Sequence, residues 1–236
     1  MGFLKGDTKG DDREITEAVL GLRKRLISEF TAAYIASVPK IVWKTSSTYQ
    51  CLIRRTLEAV DGMRAAWNAG NLLTAATMAR SLVEIGAIVR QLTDSIKTAA
   101  EEKDLDAIDK AVMNVGFGTR IKDLYEDEIA KGEYKAQNIL TIIDKMDKKM
   151  FQDEKPRLRD TYDLLSEFVH PNSFGILGLY SDNFSGEFRI EFGRTARKKE
   201  TLLPFLRVTL GMAWLVEIAA NDIEKLIPAI TEFVPQ

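Results

Sequence analysis

Residues 72–100 form an unbroken stretch apolar around most of a helical circumference. Leu72, Leu73, Ala75, Ala76, Met78, Ala79, Leu82, Val83, Ile85, Val89 and Leu92 leave only a narrow polar arc of Thr77, Arg80, Ser81, Glu84 and Gln91 at 100° per residue. A helix of that kind is stable in water only if other helices cover it, so the chain must fold as layers around it.

The flanking sequence supplies those layers. Ile15, Val19, Leu22, Leu26 and Phe30 recur every three or four residues and predict a first helix that Pro39 ends or lies just beyond. The Thr45-Ser46-Ser47-Thr48 cluster offers N-caps for a second helix carrying Tyr49, Leu52, Ile53, Leu57, Val60, Met63 and Trp67, closed at Ala69-Gly70-Asn71. Beyond the central helix, a short helix is expected over residues 105–115 and a Gly116-Phe117-Gly118 break follows. A charged helix or loop then runs to Gly132. Helix returns over residues 136–151, with Ile139, Ile142, Ile143 and Met146 as its buried face. Pro156 suits a first turn, and Leu158, Tyr162, Leu165 and Val169 keep helical spacing up to His170-Pro171.

The period then becomes two. Phe188, Ile190 and Phe192 alternate with Arg189 and Glu191, predicting one β-hairpin over about residues 176–193, with residues 176–180 as partner strand and residues 181–186 as turn. A long C-terminal helix over about residues 202–233 has Pro204 near its start and Pro228 as an expected kink or break. The fold class is mainly α. Residues 1–11, with Gly2, Gly6 and Gly10 among charges, read as a flexible lead-in, and residues 12–236 as a single helical domain.

Charge and cysteine content narrow the function. The net charge of −2 argues against binding nucleic acid by global positive charge. Cys51 stands alone, so neither an intrachain disulfide nor a thiolate zinc site can be built, and a reducing, cytoplasmic setting is expected. The polar N-terminus lacks the apolar core of a signal peptide. The apolar stretch 206–220, interrupted by Arg207 and Glu217, reads as too short to span a bilayer.

The chain has one histidine, His170, at a helix end where the dipole favours its protonated form. Glu167 and His170 have Glu-x-x-His spacing, but a di-iron site needs that motif twice, and one histidine with carboxylates is a poor zinc set. No metal and no cofactor is expected. Asp163, Ser166 and His170 share a helix face, yet Asp163 lies about 10.5 Å from His170 along the axis and cannot orient its ring. Gly116-Phe117-Gly118-Thr119 lacks the third glycine and the ending of a phosphate loop and reads as a turn.

Arg80 and Glu84 stand four apart, so their side chains meet, either on a solvated arc or as a prepared site. His170 is either a helix-end residue bonding a carbonyl or a proton carrier in a pocket, with Asn172 and Ser173 close by. The basic clusters Arg23-Lys24-Arg25, Arg54-Arg55, Lys145 with Lys148-Lys149, and Arg194 with Arg197-Lys198-Lys199 read as solvated faces.

At Arg80-Ser81-Leu82-Val83-Glu84 and at Tyr162-x-x-Leu165-Ser166-Glu167-x-Val169-His170-Pro171-Asn172, the chain resembles a group of uncharacterised bacterial helical proteins, similar in turn to the HEPN superfamily (higher eukaryotes and prokaryotes nucleotide-binding). The resemblance spans roughly residues 45–220. It implies an antiparallel helical bundle, a homodimer and, in many members, metal-independent RNA cleavage in toxin or phage-defence systems. The catalytic signature of those members is an arginine separated from the histidine by four to six residues. Here those positions are Asp163, Leu164 and Leu165, so the signature is absent, and either Arg80 from another helix serves instead or the chain has no nuclease activity.

Three functions therefore compete, only one of them enzymatic. One is a nucleotide- or small-anion-binding regulatory module with Arg80, Glu84, Tyr162, Ser166 and Asn172 as binding residues. The second is a ribonuclease with His170 as its catalytic acid or base. The third is a structural helical dimer, or one that binds a small protein partner, without catalysis or membrane attachment.

Overall fold

The computed structural model describes residues 3–4, 12–117, 137–151, 157–184, 189–193 and 196–234. Its helices are α1 (Arg13–Lys24), α2 (Ala32–Ser37), α3 (Lys40–Asn68), α4 (Leu72–Glu101), α5 (Leu105–Phe117), α6 (Ile139–Phe151), α7 (Arg157–Val169) and α8 (Ala196–Phe233). The chain is mainly helical. The expectations for residues 118–132, for Pro156, and for Phe188, Arg194 and Arg197 as core or surface residues lie outside what is described.

As its composition requires, α4 is the central element: α3, α5, α6, α7 and α8 all pack on it. Ala75, Ala76, Ala79, Leu82, Val83, Val89 and Ile96 are fully shielded from solvent. Gly70, in the left-handed region at φ +80°, lets α3 turn back into α4. Asn71 then accepts the Thr74 N–H with its side chain and caps α4. Of the expected lead-in, Phe3 and Leu4 are described, and Leu4 is buried in the core.

Several boundaries differ from expectation. α1 stops at Lys24 instead of running to Phe30, because side chains from α3 and α8 replace its helical bonds. Gln50 donates to the Arg25 carbonyl and accepts the Ile27 N–H, while the Arg25 guanidinium reaches Glu217, Asn221 and Glu224 on α8. α3 begins at Lys40, straight after Pro39, so Thr45 to Thr48 lie inside it rather than capping it. Thr45 belongs to the buried row Ile41, Thr45, Tyr49 and Ile53, and that burial outweighs its low helix propensity. α8 starts before Pro204 and continues through Pro228. Ile223 and Ile230, buried on either side of Pro228, hold the helix together across it.

The β-hairpin expected over residues 176–193 is overturned. Its first strand does not exist: Phe174–Gly178 is a π-helical turn, and helix continues to Tyr180. Asn172 starts this turn, its carbonyl accepting the Ile176 N–H at 2.8 Å and its side-chain oxygen the Gly175 N–H at 2.8 Å. Among the described residues, extended pairing is a four-residue antiparallel ladder of β1 (Ser181–Phe184) with β2 (Arg189–Phe192). Phe192, expected on the half-buried face of the strand, is 75% exposed, while the side chains of Phe188 and Ile190 lie outside what is described.

The apolar segments are also longer than expected. α4 and residues 198–233 of α8 are each long and apolar enough to cross a membrane, but 56% and 50% of their most apolar windows are buried inside the fold. Burial to that degree is what core helices show.

Candidate functional site

The candidate site is built from the position of α7. The first N–H groups of a helix have no partner within it. Here Asp147, only 4% exposed on α6, supplies both carboxylate oxygens: Oδ1 accepts the Leu158 N–H at 3.0 Å and Oδ2 the Arg159 N–H at 2.8 Å. Arg159 adds a 2.9 Å bond to Asp144. So clamped, α7 turns Leu158, Tyr162, Leu165 and Phe168 inward and sets Tyr162 opposite Arg80 and Glu84 of α4.

These three side chains form one network. Arg80 Nη2 donates to Tyr162 Oη at 2.8 Å, and Tyr162 Oη donates to Glu84 Oε1 at 2.9 Å. Arg80 Nε lies 3.5 Å from the same Glu84 oxygen, an ion pair just outside hydrogen-bond geometry. The guanidinium carbon is 5.0 Å from the Tyr162 ring centroid, within cation–π range. Burial holds the Tyr162 phenol above its ordinary pKa; the Arg80 hydrogen bond opposes this and the Glu84 carboxylate adds to it. The hydroxyl therefore remains a neutral bridge at physiological pH, accepting from the cation and donating to the anion. Arg80 and Glu84 are 27% and 31% exposed, so the network is closed on the protein side and open at one edge.

The other expected site residues lie elsewhere on α7 and its end. Ser166 Oγ donates back to the Tyr162 carbonyl at 2.8 Å, a bond internal to the helix. Asn172 Nδ2 donates to Glu167 Oε2 at 2.6 Å, while its other groups organise the following turn. His170 closes α7 through its backbone, its N–H donating to the Ser166 carbonyl at 2.9 Å. Its ring is exposed, and among the described residues it makes no hydrogen bond or ion pair. Eight positions separate it from Tyr162, about 12 Å along the helix axis. The structure thus brings together Arg80, Glu84 and Tyr162, and leaves His170, Ser166 and Asn172 at or toward the far end of α7.

Asp147 was not singled out in the sequence, although a signal was present. It stands four positions after Ile143, on the face of α6 that otherwise carries apolar residues. Gly175 is a second such residue. A Cβ there would lie 2.0 Å from the His170 carbonyl oxygen, so only glycine allows the π-helical turn to seat against the end of α7. Phe174 adds an edge-to-face contact with Phe168, centroids 5.0 Å apart.

Three surface grooves of about 510 Å³ each open among the described helices, and neither Arg80, Glu84, Tyr162 nor His170 lines any of them. Among the described residues, no three His, Cys, Asp or Glu side chains gather as a metal set would. No family model, curated protein or solved structure matches the chain.

Proposed function

We propose that this protein works by association rather than catalysis, pairing with a second copy of itself through the apolar turn that follows α7. The observation that carries the reading is an exposed cluster in one short stretch: Phe174 at 40%, Ile176 at 51%, Leu177 at 55% and Tyr180 at 51%. Phe192, 75% exposed, joins them, because the Gly193 N–H bonds the Tyr180 carbonyl at 3.0 Å. Clustered large apolar side chains at a surface mark protein contacts, whereas isolated ones do not. The cluster has a firm base, because Asn172, Gly175 and the Phe168–Phe174 ring pair tie the turn to α7. The low net charge adds little repulsion between copies. The Arg80–Tyr162–Glu84 network then acts as an internal brace that fixes α7, and with it the turn, against α4.

Sedimentation velocity across the micromolar range tests this. The wild-type chain is expected to dimerise, and Leu177→Glu combined with Phe192→Glu to leave a folded monomer with an unchanged circular dichroism spectrum. A wild-type monomer at every concentration, or a dimer indifferent to both substitutions, would overturn the reading.

A second reading, nucleotide or small-anion binding, draws on the Arg80 guanidinium, whose side chain is 27% exposed at the open edge of the network. Thermal stabilisation by nucleotides that Arg80→Ala abolishes would favour it. RNA cleavage would need a cation beside His170, and no described residue pairs with its ring.

A further inference from the structure

The groove between α4, α6 and α8 has the chemistry of a ligand site. Its α6 wall is Ile142, Met146 and Met150, and its α8 wall is Trp214, Leu215 and Ile218. Trp214 and Met150 are 44% and 41% exposed, so an indole and a thioether stand at the mouth of a cleft of about 510 Å³. An apolar cleft with a few converging polar groups is the usual form of a small-molecule site.

The rim has a charge imbalance. Arg90, Lys145 and Lys149 line the groove with a single carboxylate, Asp94. Asp94 is already shared, at 3.1 Å from Arg90 Nη2 and 2.8 Å from Lys149 Nζ. Lys145 has no ion pair among the described residues. It stands four positions before Lys149 on the same ridge of α6, a spacing at which like charges repel. On the α4 wall, the Gln91 side chain lies between this groove and the neighbouring one against α5. A cation without an ion-pair partner among the described residues and an exposed indole around one apolar cleft call for a ligand with an anionic head and an apolar body.

We infer that this groove binds a free carboxylate with an apolar chain of medium length. The carboxylate sits on Lys145 beside Lys149. The chain lies along Met146, Trp214 and Ile218. The site is separate from the association surface proposed above and does not depend on it.

Decanoate below its micelle concentration is the probe, titrated into the full chain by equilibrium dialysis and by tryptophan emission. Saturable binding at one site is expected, with decanol, the uncharged analogue, at least about tenfold weaker. Lys145→Ala, an exposed substitution that leaves the fold intact, is expected to weaken decanoate about tenfold and to leave decanol unchanged. Trp214→Phe should remove the emission change while dialysis still registers binding. Lys40→Ala, in the separate groove between α3 and α5, should change nothing. Absence of saturable binding, equal affinity for acid and alcohol, or loss on Lys40→Ala but not on Lys145→Ala would each overturn the assignment.

Discussion

Tyr162 shows how one hydroxyl can decide whether two charges stabilise or strain a fold. It accepts from Arg80 and donates to Glu84, so neither ion meets the protein interior without a partner. Tyr162→Phe keeps the ring and its cation–π contact but removes both bonds. A loss of about 1 kcal/mol is expected in urea unfolding, moderated by the water that reaches both ions. Tyr49 is the buried counterpart. Its hydroxyl is 2.5 Å from Thr93 Oγ1, and burial foremost, with the Asp222 and Asp94 carboxylates, pushes its pKa well above the ordinary tyrosine value. An unfolded tyrosine ionises near about pH 10. Above that pH the unfolded chain loses a proton that the folded chain keeps, so the stability this group contributes is full below about pH 10 and falls as pH rises beyond it. Urea unfolding from neutral into alkaline solution should therefore show stability declining above about pH 10, and Tyr49→Phe should make that decline shallower.

Among the elements, α7 is the one whose placement matters most, and a side chain from another helix sets it. Asp147→Ala removes both acceptors at the N-terminus of α7. Loss of about 1–2 kcal/mol is expected, as for other helix caps. Faster hydrogen exchange at the Leu158 and Arg159 amides would locate the damage, and Asp147→Asn, which keeps one oxygen acceptor, should lose less. The contact of α4 with α8 is set by size instead of charge. A Cβ at Gly86 would lie 2.8 Å from Met212 Sδ and 2.9 Å from Met212 Cβ. Gly86→Ala is expected to cost about 1–3 kcal/mol by overpacking. Trimming the partner with Met212→Ala should recover part of that in the double variant, giving a favourable coupling of at least about 0.5 kcal/mol. Strict additivity would show that the helices separate instead of clashing.

At the scale of the whole molecule, the proposed association through the Phe174–Gly178 turn would link stability to concentration. A dimer that binds only folded chains raises the melting temperature as protein concentration increases. That dependence should vanish in the Leu177→Glu, Phe192→Glu variant, while the variant's own melting temperature stays flat with concentration. The Arg80–Tyr162–Glu84 brace holds the middle of α7, and the apolar turn follows the end of that helix. Tyr162→Phe should therefore lower stability without making the protein monomeric.

Local periodicity determined a great deal by itself. The α4 helix, the Gly70 turn, the buried faces of α3 and α6 and the stop at His170-Pro171 could all be read from spacing, because helix formation and amphipathicity depend on residues three and four apart. The Arg80–Glu84 pair was legible for the same reason. The tertiary structure alone decided what joined them: Tyr162 lies 82 residues from Arg80 in the chain, and its bridge exists only because α7 docks on α4. It also decided that His170, although at the expected helix end, stands in solvent, and that residues 176–180 coil instead of extending. Short apolar runs carry no unique period. Their conformation is chosen by non-local contacts, here the Asn172 side chain and the close seat of Gly175 on the α7 carbonyls, to which spacing along the chain is blind.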